Sequence, residues 1–165
     1  MPEMSPSEAA PPGASPSGGL GAHGGVAVPA SEEPIRVVLA EGHRLLRASL
    51  RGLLEAEPDI EVVAAPERLD QVAASVAESR PDVLVLDLSM SGGAAADLLR
   101  ASGGGHGDMP IVALSMENSR AFARGAVAAG ASAHVVQEHA NGELPAAVRA
   151  VLGRAALAGR ARAHV

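Results

Sequence analysis

The chain has 165 residues, enough for one domain of ordinary size and an additional tail. Its formal net charge of −6 argues against a broad binding surface for nucleic acid or for anionic membranes. Cysteine and lysine are both absent, which excludes disulfides, thiolate metal sites and chemistry that needs a side-chain amine. The sequence also lacks a signal-peptide pattern and any apolar run near the ~18 residues that span a bilayer, so we expect a cytoplasmic protein without membrane contact.

Residues 1–33 form a tail that is rich in proline, glycine and serine. The tail contains four glutamates and no basic residue. Such a segment buries too little apolar surface to offset the entropy that ordering costs. We therefore expect it to be disordered.

From residue 35 onward, five short apolar runs alternate with five helical patterns. The runs predicted as strands are 35–40, 60–65, 83–86, 111–114 and 133–136. The first helical pattern carries a leucine stripe of Leu46, Leu50, Leu53 and Leu54. The second pattern ends near Ser79, and the others span about 93–101, 119–129 and 141–158. This alternation predicts an α/β fold whose five-stranded parallel sheet is covered by helices on both faces.

Polar and small residues follow the predicted strands. Parallel α/β sheets bind their ligands at the carboxyl ends of the strands. The residues found there are Glu41 and Gly42 after the first strand, Asp87 after the third, Ser115 after the fourth and Gln137 after the fifth. Asp87 closes the most apolar strand, where a carboxylate needs partners or solvent, and an aspartate that only caps the following turn is the alternative to a functional group.

Six short motifs, in their order along the chain, carry a family resemblance. They are Leu39-Ala40-Glu41-Gly42-His43, Arg80-Pro81-Asp82-Val83, Val85-Leu86-Asp87-Leu88-Ser89-Met90, Ala113-Leu114-Ser115-Met116, Ala128-Ala129-Gly130-Ala131 and Val135-Val136-Gln137-Glu138. Together they resemble a bacterial response-regulator receiver domain of the kind that usually precedes a LuxR-type helix-turn-helix. The resemblance covers residues 34–158 and implies a flavodoxin-like, doubly wound (βα)5 domain, with the tail before it and a short extension at 159–165.

The resemblance implies specific roles at the strand ends. Asp87 matches the aspartate that accepts a phosphoryl group from a histidine kinase. Glu41 and Gly42 stand at the acidic pair that holds Mg²⁺, and Ser89 matches the residue whose backbone carbonyl is a further metal ligand. Ser115 matches the hydroxyl residue that contacts the phosphoryl oxygens.

Two further positions complete the family pocket. Gln137 stands where the family has a lysine, and His134 stands where it usually has an aromatic switch residue. Ser91 replaces a proline of the loop that follows Asp87.

The departures weaken the chemistry that the resemblance implies. Phosphoryl transfer depends on positioning and on neutralising charge, and Mg²⁺ prefers oxygen ligands that include carboxylates. Gly42 removes one acidic ligand, and Gln137 removes the positive charge, so Mg²⁺ binding is expected to be weak. The formal charge of the pocket stays the same, because one carboxylate and one ammonium group are lost together. A pocket of this charge can persist without the metal.

We therefore predict an atypical, stand-alone receiver that acts in two-component signalling and regulation with little or no phosphorylation. The alternative is a conventional receiver phosphorylated at Asp87, and an enzyme on this fold is the least favoured class because the strand ends offer no nucleophile–base pair. The expected partner is a histidine kinase, another signalling protein or a second copy of the chain. Only seven residues follow Ala158, too few for a helix-turn-helix, so we expect no direct DNA binding by this chain.

Histidines leave one further alternative open. His134 and His139 lie five residues apart near the end of the fifth strand, and His43 approaches the same end of the sheet. These histidines could form a metal site, or they could be ordinary surface residues. The surface interpretation is favoured.

Overall fold

The computed structural model describes residues 33–101 and 109–162, with the surroundings of side chains described for 33–100 and 109–153. The strands are β1 (Ile35–Ala40), β2 (Ile60–Ala64), β3 (Val83–Asp87), β4 (Ile111–Ser115) and β5 (Ala133–Val136). The helices are α1 (Arg44–Glu55), α2 (Val72–Ser79), α3 (Ala94–Ala101), α4 (Arg120–Ala128) and α5 (Ala140–Arg162). Single 3-10 turns precede α2, α3 and α5.

All five strands form one parallel sheet in the order β2-β1-β3-β4-β5. This is the doubly wound, flavodoxin-like topology, in which the strand order reverses between β1 and β3. Because the strands are parallel, their carboxyl ends meet at one edge. The predicted fold class is confirmed.

Alternate residues of β1, β3 and β4 enter two separate core layers, one on each face of the sheet. Val37 and Leu39 of β1 pack with α1 and α5, whereas Val38 and Ala40 pack on the opposite face. The buried helical residues of the first layer are Leu50, Leu54, Ala140, Leu144, Val148 and Val151. Those of the second layer are Val72, Ala95, Leu99 and Ala126. This burial on both faces explains why the strands read as continuous apolar runs.

Most predicted boundaries agree with the structure to within one or two residues. The main difference is α5, which continues from its predicted end at Ala158 to Arg162. The last residues of this helix are mostly alanine and arginine, which have high helix propensity, and a single glycine does not stop a helix. The predicted extension at 159–165 is therefore helical as far as Arg162. The predicted disordered tail lies outside the described residues, except for Glu33.

Among the residues that the structure describes, no helix combines the length and apolar composition that crossing a membrane requires.

The helix α4 packs weakly against the sheet. Ser119 caps its first turn by accepting a hydrogen bond from the Phe122 backbone N–H at 3.2 Å. The large apolar residues of this helix, Phe122 and Val127, are 37% and 52% exposed, so they do not anchor it in the core. Ala126 is instead the buried residue, since it is the one that faces the sheet.

We expect the amide hydrogens of α4 to exchange about tenfold faster than those of α1 and α5, because α4 buries one small side chain and contains Gly125. Hydrogen exchange followed by mass spectrometry at peptide resolution measures this difference. Equal protection in all three helices would contradict the expectation.

Candidate functional site

The polar residues predicted at the strand ends lie at one edge of the sheet. Glu41 directly follows β1, Asp87 is the last residue of β3, and Ser115 is the last residue of β4. Gln137 begins the 3-10 turn after β5, and its side chain is half-buried. Glu41, Asp87 and Ser115 are the buried polar or charged residues of the described chain, which shows that the sheet holds them inside rather than at its surface.

The loop after β1 is held by hydrogen bonds around Glu41. The Oε1 atom of Glu41 accepts from the His43 backbone N–H at 2.9 Å and lies 3.1 Å from Nδ1 of the His43 ring. Arg47 donates to the backbone carbonyl of Glu41 at 3.0 Å and pairs with Glu67. These contacts fix the carboxylate at the end of β1. The sequence pattern gave no signal for the role of Arg47, because its partner is a backbone atom.

Glu41 and Asp87 bring two buried carboxylates together. Each of the residues Glu41, His43 and Asp87 offers one ligand atom, and these three atoms lie within 4.8 Å of one another. The Oε2 atom of Glu41 is buried and has no hydrogen-bond partner. Burial raises the pKa of Glu41, and the nearby charge of Asp87 raises it further, whereas hydrogen bonds from His43 oppose this rise. The pocket therefore contains negative charge that is incompletely compensated.

The carboxylate of Asp87 accepts hydrogen bonds from Ser89. The Ser89 backbone N–H donates to Oδ1 at 2.9 Å, and the Ser89 hydroxyl lies 2.8 Å from both carboxylate oxygens. Further along the loop, the φ values are positive at three successive residues, with 54° at Ser91, 64° at Gly92 and 98° at Gly93. A proline, whose φ is fixed near −65°, could not adopt the backbone of Ser91. The backbone observed at Ser91 is therefore incompatible with the proline that the family resemblance implies at this position.

Ser115 uses its full hydrogen-bonding capacity within the chain. Its hydroxyl donates to the Glu117 carbonyl at 3.1 Å and accepts from the Glu117 backbone N–H at 3.2 Å. The Nε2 atom of His134 lies 2.7 Å from the same oxygen. A hydroxyl has one proton and two acceptor positions, so the network is complete when Nε2 carries its proton and donates to Ser115.

The ring of His134 also contacts Phe122 of α4. The two ring centroids are 5.5 Å apart and the planes are tilted by 56°. This contact could not be predicted from the sequence, because it depends on where α4 lies against the sheet. The contact of His134 with Ser115 depends in turn on the register of β4 and β5, which places His134 opposite Ala113. His134 thus connects Ser115 in the pocket to α4 at the surface.

We expect His134 to make the folded state less stable in mild acid. Burial lowers the pKa of His134 below its ordinary value of 6.5, so the unfolded chain binds a proton more readily than the folded chain. The stabilising contribution is present above pH 6.5 and decreases as the pH falls below it. Urea unfolding measured between pH 8 and pH 5 should show a smaller loss of stability for His134→Gln than for the unaltered chain. His139→Gln, at an exposed position, is the control, and an equal effect of both substitutions would contradict the assignment.

Gly42 leaves space where the family resemblance implies a second carboxylate. A Cβ atom at this position would lie 3.7 Å from the Glu67 carbonyl oxygen and 4.0 Å from Cγ of Met90, which are ordinary contacts. A cavity of about 270 Å³ opens beside Gly42. Its other lining residues are Glu67, Arg68, Leu69, Asp70, Met90 and Ser91. A side chain at residue 42 would therefore extend into open space.

The donor set of this pocket fits part of the ligand shell of Mg²⁺, the ion that the family resemblance implies. The unpartnered Oε2 atom of Glu41 and the neighbouring Asp87 carboxylate fit a divalent cation. Mg²⁺ also prefers an octahedral set of oxygen ligands, and at this position Gly42 offers none from a side chain. The site thus fits a cation but supplies fewer carboxylates than the family pattern.

The family model described as the response regulator receiver domain matches residues 37–149. The chain belongs to the response-regulator receiver family. It carries a receiver domain of two-component signalling, and receivers interact with histidine kinases and dimerise.

Several curated relatives of this receiver are transcriptional regulators. It is 34% identical over 130 residues to the DNA-binding transcriptional activator DevR/DosR of Mycobacterium tuberculosis, covering 78% of this chain and 60% of the relative. It is 29% identical over 118 residues to the oxygen regulatory protein NreC of Staphylococcus epidermidis, covering 71% of this chain and 54% of the relative. This receiver therefore spans only part of the length of these relatives. Matches to two protein-glutamate methylesterases cover 16% and 17% of their lengths.

Solved structures agree with the family assignment. A LuxR-family response regulator from Aurantimonas is 30% identical with a TM-score of 0.67, and the match covers 73% of this chain and 86% of that one. The receiver domain of the putative response regulator NarL from Mycobacterium tuberculosis is 24% identical with a TM-score of 0.62, covering 74% and 97%. The second match shows the fold alone.

Proposed function

We propose that this chain is an atypical receiver that signals through protein contacts, with little or no phosphorylation of Asp87. The observation that carries the proposal is the buried pair of Glu41 and Asp87 without a second carboxylate at Gly42 and without a cation at Gln137. In this proposal the chain acts in the cytoplasm and is not itself an enzyme.

Charge argues against a stable phosphoryl group in this pocket. The group would add negative charge next to Glu41, whose raised pKa already reflects burial and the charge of Asp87. Catalysis of phosphoryl transfer rests on groups that neutralise such charge. The side chain of Gln137 can donate a hydrogen bond but supplies no positive charge. A single preorganised donor is worth about 100-fold or more in rate.

The contacts of Ser115 argue in the same direction. A phosphoryl oxygen would need the hydroxyl proton, which is donated to the Glu117 carbonyl. Freeing this proton would also disturb the hydrogen bond of Ser115 with His134. Binding of a phosphoryl group would therefore require Ser115 to break hydrogen bonds that it already makes.

A second candidate function is a conventional receiver that is phosphorylated at Asp87. The retention of a buried aspartate at the end of β3, beside Glu41 and Ser89, favours it. In this alternative Glu41, Asp87 and the Ser89 carbonyl would hold Mg²⁺, and Ser115, His134 and Gln137 would form the phosphoryl-contact and switch positions.

The partner in either case is proposed to be a histidine kinase, another signalling protein or a second copy of the chain. Stand-alone action is part of the first proposal, and regulation of transcription would then pass through a partner. The absence of direct DNA binding stays a prediction, because the relatives named as DNA-binding are matched over only part of their length.

Incubation with acetyl phosphate and Mg²⁺, followed by intact-mass measurement, separates the two candidates. We expect less than about a tenth of the chains to gain the mass of one phosphoryl group, because the neutralising groups are missing. Asp87→Asn is the matched control, and it shows how much of any added mass depends on this carboxylate. Rapid modification of most chains, abolished by Asp87→Asn, would overturn the atypical interpretation and establish the conventional one.

A further inference from the structure

We propose that Glu41, His43 and Asp87 form a site for a divalent transition-metal ion of the Zn²⁺ type, with the His43 imidazole as a direct ligand. The site shares its carboxylates with the pocket discussed above. The inference does not depend on whether Asp87 is phosphorylated.

The first observation is the grouping of three donors from two strand ends. Nδ1 of His43 and Oε1 of Glu41 are 3.1 Å apart, and the ligand atoms of all three residues lie within 4.8 Å of one another. Ligands of a tetrahedral zinc ion with bonds near 2.1 Å are separated by about 3.4 Å. Small adjustments of the three side chains, of which that of His43 is exposed, would therefore bring the three atoms around one ion.

The second observation is independent of this grouping. Glu41 is fully buried, and its Oε2 atom has no hydrogen-bond partner. A buried carboxylate oxygen without a partner is costly, and a bound cation removes this cost. The positive charge of the ion would also reduce the repulsion between the carboxylates of Glu41 and Asp87.

The chemistry of the donors selects the class of ion. Imidazole nitrogen suits zinc, cobalt, nickel and copper, whereas Mg²⁺ prefers oxygen ligands and loses its water reluctantly. Gly42 has no side chain, so the second carboxylate that would favour Mg²⁺ is missing. The residue borders the open cavity of about 270 Å³. Three protein ligands with an open position for water form a common arrangement for zinc.

Titration of the full chain with Zn²⁺, Co²⁺ and Mg²⁺, each alone, tests the proposal. Calorimetry should show Zn²⁺ binding at least about tenfold tighter than Mg²⁺, and the visible absorption of bound Co²⁺ should show a nitrogen-containing ligand set. His43→Ala should weaken Zn²⁺ and Co²⁺ binding at least about tenfold, change the Co²⁺ spectrum and leave the weak binding of Mg²⁺ unchanged.

His139→Ala is the matched control, because His139 is also an exposed histidine beside carboxylates, those of Glu138 and Glu143. It should leave binding and spectrum unchanged. Equal effects of the two substitutions, no effect of His43→Ala, or Mg²⁺ binding as tight as Zn²⁺ binding would each overturn the proposal. Phosphorylation is measured separately with acetyl phosphate, so failure of the proposed function and failure of this metal site are distinguishable.

Discussion

The double variant Gly42→Asp/Gln137→Lys is expected to accept a phosphoryl group at Asp87 from acetyl phosphate at least about 100-fold faster than the unaltered chain. The aspartate restores the second carboxylate for Mg²⁺, and the lysine restores the positive charge. Phosphorylation rates at saturating Mg²⁺, measured by intact mass, give the comparison.

The backbone can accommodate the first of these changes. A Cβ atom at residue 42 meets its nearest neighbours, Glu67 and Met90, at 3.7 and 4.0 Å. The rest of the side chain has the adjoining cavity beside it. Loss of the fold is therefore not expected to mask the result.

Each single substitution should recover less than the double variant, because both groups act on the same transition state. Gly52→Asp/Gln71→Lys is a charge-matched control, since it introduces the same charges at exposed positions. It also removes the exposed hydrogen bond that Gln71 accepts from the Arg68 backbone, so its fold is checked together with that of the double variant. A folded double variant that remains unmodified would show that the missing carboxylate and lysine do not limit phosphorylation. The hydrogen bonds of Ser115 with Glu117 and His134 would then be the remaining obstacle.

Much of the fold could be predicted because its signals are local. The β-branched run at Ile35–Ala40 and the short run at Ala133–Val136 matched the observed strands. Burial of both faces makes such strands continuously apolar, and their alternation with helical patterns indicates a parallel sheet. The strand ends that these boundaries define then locate Glu41, Asp87 and Ser115.

The unpredicted features depend on contacts between distant segments. The contact of Ser115 with His134 requires the pairing of β4 with β5, and the contact of His134 with Phe122 requires the position of α4. Exposure of Phe122 and Val127 likewise depends on which face of α4 meets the sheet, and a weak apolar pattern does not specify that face.

The substitution Glu41→Gln is expected to stabilise the metal-free protein by about 1 to 2 kcal/mol at neutral pH, because it removes a buried charge. Glutamine has nearly the same shape, and its carbonyl oxygen can still accept the hydrogen bond from the His43 backbone that Glu41 accepts at 2.9 Å. Its amide group places a donor where Glu41 has a buried oxygen without a hydrogen-bond partner. Urea unfolding in the presence of a chelator measures the difference.

The increase in unfolding free energy caused by Glu41→Gln should become smaller as the pH falls. The folded-state pKa of Glu41 is raised above 4.5, so the protonated form fits the folded chain better than the charged form. The stability that protonation provides is complete below pH 4.5 and is lost as the pH rises through the folded-state pKa. The stabilisation by glutamine is therefore largest at neutral pH and decreases as the pH falls towards 4.5.

The control is Glu61→Gln, at an exposed position of β2, which should change the free energy of unfolding by less than about 0.5 kcal/mol at every pH. If Glu41→Gln instead destabilised the chain at neutral pH, the charged carboxylate would be a net stabilising partner of His43 and not a buried cost.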